Sequence, residues 1–200
     1  MNKEKTKEWL KKNWSTALLT AFLAVILISP DAKTWFMRQV ISTGVMNLTL
    51  QDQSKKSNEK STSEIADFRV QDEDGRIVNT KELRGKVVFM NFWASWCPPC
   101  RAEFPSVQKF FDRYKDDPNV VFLTVNLDDQ AAAGRNYLDK QNFTLPLLVP
   151  ASDIPPAYYT GSLPTTVVLD KKGEIRLHHT GMADYSKGSF YKKIDAMLAE

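Results

Sequence analysis

The sequence predicts an α/β fold in which helices pack on a central mixed sheet and a β-hairpin is added at the N-terminal side. Three observations carry this reading. Residues 87–92 and 119–126 are near-continuous apolar runs, the pattern of strands covered on both faces. Each is followed by a stretch with helical periodicity, so strands joined through helices are expected as parallel neighbours with right-handed crossovers. Residues 165–169 and 174–179 read as a closing antiparallel hairpin around Asp170-Lys171-Lys172-Gly173.

Taken in order, residues 66–70 and 76–78 alternate and are separated by Asp72-Glu73-Asp74-Gly75, the signature of a small hairpin. Residues 80–83 begin a short helical turn that Gly85 ends. The buried strand 87–92 follows, then a helix from Cys97 to about Tyr114 with Phe104, Val107, Phe110 and Phe111 as its core stripe. Strand 119–126 leads to a second helix reaching about Gln141, with Asp128 or Asp129 as its cap rather than as a metal ligand. Residues 154–159, with Pro155 and Pro156, read as a connector that either shapes partner choice or simply packs. A last helix covers about 186–198. The order is β-α-β-α-β-β-α behind a leading hairpin.

The N-terminus is organised differently. Residues 1–12 hold five lysines and two glutamates; the rest of the 200-residue chain holds 22 basic and 22 acidic residues, so no nucleic-acid partner is expected. The run from Trp14 to Ile28 is uncharged and strongly apolar. It fits a signal peptide or a short membrane anchor. Ser29-Pro30-Asp31-Ala32-Lys33 is a poor cleavage site, and Trp9, Trp14 and Trp35 flank the run as interfacial aromatics do, so a retained anchor at 13–30 is favoured. No cysteine follows the run for lipid attachment. The lysines stay cytoplasmic and the remainder lies outside the membrane, with a cleaved secreted form as the alternative. Residues 31–64 then form a juxtamembrane segment and linker. Within them, 33–50 are amphipathic and compatible with either the membrane surface or the domain, while 51–64 lack apolar residues and read as a tether spanning roughly 20 Å. The folded domain is 65–200, and its 42% hydrophobic content across the chain suffices for a core without metals or structural disulfides.

The chemistry lies in Trp96-Cys97-Pro98-Pro99-Cys100, which contains the chain's two cysteines. At the first turn of a helix, the Cys97 sulfur meets unsatisfied backbone N–H groups and the positive end of the helix dipole, and both favour thiolate. Cys100, three positions on, shares that face and is near enough to close a disulfide. A disulfide of so small a loop would stabilise little, and a zinc site needs about four ligands. CxxC beside a βαβ pattern is instead a redox signal, in a compartment where disulfides persist.

Residues 91–105 (Asn-Phe-Trp-Ala-Ser-Trp-Cys-Pro-Pro-Cys-Arg-Ala-Glu-Phe-Pro) and 163–175 (Leu-Pro-Thr-Thr-Val-Val-Leu-Asp-Lys-Lys-Gly-Glu-Ile) closely resemble the TlpA/ResA/DsbE-like branch of the thioredoxin superfamily. The resemblance spans about 65–200. It implies a three-layer α/β/α thioredoxin-like fold and a membrane-anchored, outward-facing protein-disulfide oxidoreductase that reduces envelope disulfides, with cytochrome c maturation as a common role. It implies Cys97 as attacking thiolate, Cys100 as resolving thiol and Pro164 as a cis proline, with Leu163 offering backbone hydrogen bonds to an extended substrate. Trp96 and Gly181 would flank the groove. The implied partners are protein thiols and disulfides, a membrane thiol donor of the DsbD/CcdA kind and, through the N-terminal helix, the bilayer; no cofactor or metal is expected. Where general thioredoxins carry a buried acid this chain has Asn91, and Glu103 stands one helical turn after Cys100. Glu103 is expected as the proton acceptor for Cys100, against the alternative of an exposed glutamate near a helix start.

Two other classes remain open. A peroxiredoxin-like peroxidase shares the fold but usually places Pro and Thr before a lone peroxidatic cysteine, whereas Ser95-Trp96 precede Cys97. A copper-binding chaperone would join the thiolates to an imidazole. His178 and His179 are adjacent on a strand, so at most one faces the site.

Overall fold

The computed structural model describes residues 13–16, 18–20, 29–42 and 67–200. Most of the expected anchor and the tether at 51–64 lie outside these residues. Residues 14–16 and 18–20 are helical, and no helix among the described residues is long and apolar enough to cross a membrane. Helix α1, Pro30–Ser42, lies beside the helix that follows the cysteine motif, with Thr34 buried. The helix thus contacts the domain, while Trp35 and Phe36 on it stay exposed.

The domain itself is a seven-stranded mixed sheet. The leading hairpin is β1 (Arg69–Asp72) and β2 (Ile77–Asn79), and Gly75 takes the positive φ its turn requires. A 3₁₀ turn, Thr80–Leu83, is capped by the Asn79 side chain. Strand β3 (Val87–Trp93) is buried at every position, as a central strand must be. Then come α2 (Pro98–Tyr114), β4 (Val120–Asn126), α3 (Ala131–Lys140), β5 (Leu148–Pro150), β6 (Thr165–Leu169), β7 (Ile175–Thr180) and α4 (Gly188–Ala199). The strand order is β2-β1-β5-β4-β3-β6-β7.

Strand β5 has no counterpart in the expected order, and it changes the topology. It takes the place beside β4, parallel to it, and β1 pairs antiparallel on its other edge. The chain then returns across the sheet, and β6 pairs with β3 antiparallel instead of lying parallel next to β4. A three-residue strand ending in proline carries too little periodicity to announce itself.

Alternation along the strands divides the core in two. Val87, Phe89 and Trp93 point toward α2, α3 and α4, where Phe104, Phe110, Leu138, Phe190 and Ile194 join them. Phe89 is the hub of this side. Its ring lies 4.9 Å from Phe110, 5.3 Å from Tyr185 and 5.8 Å from Phe122. Val88, Met90 and Phe92 point the other way, against Phe68, Leu123, Tyr158 and Leu169. Among the described residues this second face is closed by the connector 151–163, with Ile154 and Tyr159 packed on it, and not by the helical third layer expected above. Consecutive Pro155 and Pro156 explain this, because they remove backbone donors and bias the preceding residue away from helix.

Candidate active site

Strand β3 ends at Trp93, and the turn Ala94-Ser95-Trp96 delivers the chain to α2. Cys97 is the N-cap, with extended φ −85° and ψ 107°. Pro98 and Pro99 fill the first helical positions, where a missing N–H costs nothing and a fixed φ helps start the coil. Cys97 Sγ accepts a hydrogen bond from the Cys100 N–H at 3.3 Å, so the sulfur sits on an otherwise orphaned helix donor. The two cysteines are joined in a disulfide with Cα atoms 5.3 Å apart. Cys97 is 3% exposed and Cys100 fully buried, so only the outer sulfur borders solvent.

The Leu163–Pro164 peptide bond is cis. A shallow depression of about 330 Å³ is lined jointly by Trp96, Cys97, Pro98, Pro99, Leu163, Leu127, Tyr159 and Gly161. Trp96 stands out from its wall, 66% exposed. Gly181 is not among these lining residues; at φ 99° it donates its N–H to the Pro164 carbonyl at 2.8 Å, with open space where a side chain would stand. Tyr159 ends the connector 154–159 that the sequence offered as shaping partner choice or simply packing, whereas Gly161 and Leu127 were not singled out. Gly161 arrives on the connector and Leu127 on the segment after β4, and no local pattern marks these two.

Glu103 lies one turn beyond Cys100 and is 1% exposed, which removes the alternative of a solvated glutamate at the helix start. Its Oε1 accepts from Asn91 Nδ2 at 2.8 Å and its Oε2 from the Ala183 N–H at 3.2 Å. Asn91 Nδ2 also donates to Thr166 Oγ1 at 2.8 Å. Burial pushes the Glu103 carboxyl from 4.5 up to about 8, against the smaller downward pull of the two hydrogen bonds. At neutral pH the disulfide form therefore holds a proton one helical turn from Cys100. The nearby Tyr185 hydroxyl is held well above its ordinary value, first by burial and then by Glu103.

Asp128 does not cap the helix after β4. Helix α3 starts at Ala131 with Gln130 as an N-cap that makes no side-chain hydrogen bond. The Asp128 carboxylate instead accepts from the Ser95 N–H at 3.1 Å, from Ser95 Oγ at 3.0 Å and from Asn126 Nδ2 at 2.8 Å. The partner is 33 residues away, beyond the reach of any local rule. His178 and His179 pair with Val167 and Thr166 of β6, and burial lowers the His179 pKa. Among the described residues no group of three or more His, Cys, Asp or Glu is arranged to hold a metal.

Comparison with known proteins agrees with this geometry. Residues 62–178 match the AhpC/TSA family. The thiol-disulfide oxidoreductase ResA of Halalkalibacterium halodurans is 31% identical over 127 residues, covering 63% of this chain and 72% of that protein. The thioredoxin-like protein YneN of Bacillus subtilis is 33% identical over 130 residues, covering 64% and 75%. Among solved structures, a candidate thiol:disulfide interchange protein DsbE from Chlorobium tepidum superposes with TM-score 0.57 at 29% identity, covering 67% of this chain and 94% of its own. The chain thus belongs to the AhpC/TSA family and is a thiol–disulfide oxidoreductase of the ResA, YneN and DsbE kind, within the thioredoxin superfamily.

Proposed function

We propose that the protein reduces disulfides of proteins outside the cytoplasmic membrane, with Cys97 as nucleophile, Cys100 as resolving thiol and Glu103 as the group that exchanges the Cys100 proton. The observation that carries this is the Cys97–Cys100 disulfide at the start of α2, with Cys97 sharing one groove with cis-bonded Leu163. In the reduced protein the Cys97 thiolate attacks one sulfur of a partner disulfide, forming a mixed disulfide and releasing the other partner sulfur as thiolate. Cys100 then gives its proton to the Glu103 carboxylate and attacks Cys97 Sγ. The mixed disulfide breaks, the partner leaves fully reduced, and Cys97–Cys100 closes. Reloading runs in reverse, with neutral Glu103 returning its proton to the Cys100 thiolate. A carboxyl at about 8 is close to an ordinary thiol near 8.5, so the transfer is nearly balanced in both directions.

Leu163, held beside cis Pro164, offers its backbone to an extended substrate strand, and Trp96 forms the opposite wall. The lysine-rich start and apolar run support an N-terminal membrane tether, with the catalytic domain on the extracytoplasmic side and a membrane thiol donor of the DsbD/CcdA kind as electron source. Cysteine pairs that receive haem in apocytochromes c are the substrate class most consistent with the ResA and DsbE relatives. Since the AhpC/TSA match also favours a peroxide-reducing reading, both activities belong in one test. The full chain, purified in detergent and reduced, should reduce a two-cysteine peptide disulfide stoichiometrically and consume hydrogen peroxide no faster than free cysteine. Cys97→Ser should abolish the exchange, and Cys100→Ser should accumulate a mixed disulfide with the peptide. Exchange by Cys97→Ser at the wild-type rate would overturn the assignment.

A further inference from the structure

We propose that Asp128 is a positioning residue for the exchange reaction, holding the turn before the nucleophile through Ser95. The inference rests on the reading of Cys97 as the attacking sulfur. Between the end of β3 and the start of α2, the turn 94–96 belongs to neither ladder nor coil. Its own backbone supplies one bond, the Cys97 N–H to the Ala94 carbonyl at 3.2 Å. The rest of its support comes from the segment after β4. The Leu127 N–H donates to the Trp93 carbonyl at 2.8 Å, carrying the β3–β4 pairing one step past the strands. Asp128 then takes both donors of Ser95, the backbone N–H at 3.1 Å from each carboxylate oxygen and the hydroxyl at 3.0 Å. Charged acceptors make the stronger hydrogen bonds, and this one grips the residue two positions before Cys97.

The carboxylate is itself held. Asn126, 1% exposed, donates Nδ2 to Asp128 Oδ2 at 2.8 Å, while its Oδ1 accepts the Asp128 N–H at 3.3 Å. The Asn126 amide in turn sits directly against Gly134 of α3. A Cβ at that glycine would lie 2.7 Å from Nδ2 and 2.8 Å from the amide carbon. A helix-interior glycine is otherwise unfavourable, so its place here is explained by the close approach. The assembly Gly134–Asn126–Asp128–Ser95 runs from the third helix to the nucleophile's turn. Cys97 is thus held between Ser95, bound to Asp128 on one side, and the Cys100 N–H on its Sγ in the disulfide form on the other.

The test uses the full chain in detergent, with kcat and KM for a two-cysteine peptide disulfide and the pH profile of Cys97 labelling by iodoacetamide in the reduced form. Asp128→Ala should lower kcat by about tenfold or more with KM little changed, as misplacement of a reacting group does, and Ser95→Ala, which keeps the backbone N–H bond, by a smaller factor of about threefold. The double variant should be no slower than Asp128→Ala alone, because both break one unit. Asp128→Asn, which keeps an acceptor oxygen for Ser95, should recover most of the rate. The labelling midpoint should rise in Asp128→Ala, since the sulfur leaves its helix donor. Loss of a nearby negative charge alone would lower it, and a lowered midpoint overturns the proposal. Gly134→Ala keeps a good helix former yet displaces the Asn126 amide, and should also slow exchange. It decides the matter, with Ser95→Ala, if Asp128→Ala does not fold. Wild-type kinetics in Ser95→Ala and Gly134→Ala, with Cys97→Ser inactive, would sink this inference alone. Failure of the wild type to exchange would sink the functional reading beneath it.

Discussion

Replacing Glu103 with glutamine should change how stability depends on pH, by an amount the structure sets. The carboxyl titrates at about 8 in the folded disulfide form and near 4.5 when solvated. At about 1.4 kcal/mol per pH unit, that difference is worth about 5 kcal/mol. Below pH 4.5 both folded and unfolded chains hold the proton, and the buried group carries no ionisation penalty. Between 4.5 and 8 the unfolded chain loses its proton while the folded chain keeps it. The unfolded state then binds fewer protons, so stability falls as pH rises. Above 8 the whole penalty is present.

Glutamine removes that slope at a fixed cost. One of the two donors, Asn91 Nδ2 or the Ala183 N–H, must face an amide NH₂ in place of an oxygen, which costs about 1–3 kcal/mol at every pH. Chemical unfolding of the disulfide form, followed by near-ultraviolet circular dichroism from pH 4.5 to 9, should show two crossing curves. Wild type is the more stable at the acid end and Glu103→Gln at the alkaline end. Titrations elsewhere cancel in the difference. A difference that stays flat within about 0.5 kcal/mol across this window would refute the reasoning.

Two further outcomes are expected. Trp96→Ala removes an exposed wall of the groove, so KM for a peptide disulfide should rise about tenfold while the unfolding midpoint hardly moves; stopped-flow kinetics and thermal unfolding check this together. Phe89→Ala deletes the hub ring of the helical side of the core and should cost about 3–5 kcal/mol in urea unfolding, with exchange chemistry retained by the folded fraction.

What the chain announces in one dimension is what depends on short-range pattern. The buried strands around Phe89 and Leu123, the helix opening at Cys97 and the hairpin turning at Gly173 all follow from period, capping and turn chemistry, and they appear within a residue or two of expectation. The paired cysteines were likewise visible by spacing, and Glu103 through the resemblance of its helix to the family's motif. Features that depend on distant partners were not. Whether Glu103 faces water or the core is settled by Asn91 on β3 and Ala183 before α4, neither of which signals its neighbour. Asp128 looks like a cap because acidic residues before helices usually are caps; only the fold brings Ser95 to it. Leu148–Pro150 is too short to show a period, so the return path of the chain and the antiparallel β6 were hidden with it.

The groove draws its two walls from separate stretches of polypeptide. One comes from the turn at Trp96 and the start of α2, carries the sulfur and is joined by Leu127; the other arrives on the connector 151–163 with Tyr159, Gly161 and Leu163. That connector is rooted in the interior by Tyr158, whose side chain is completely enclosed, while Tyr159 and Gly161 face the opening. The exposed residues between Tyr158 and Leu163 can therefore be varied to reshape the opening without touching the wall that carries the sulfur or the core that Ile154 and Tyr158 enter.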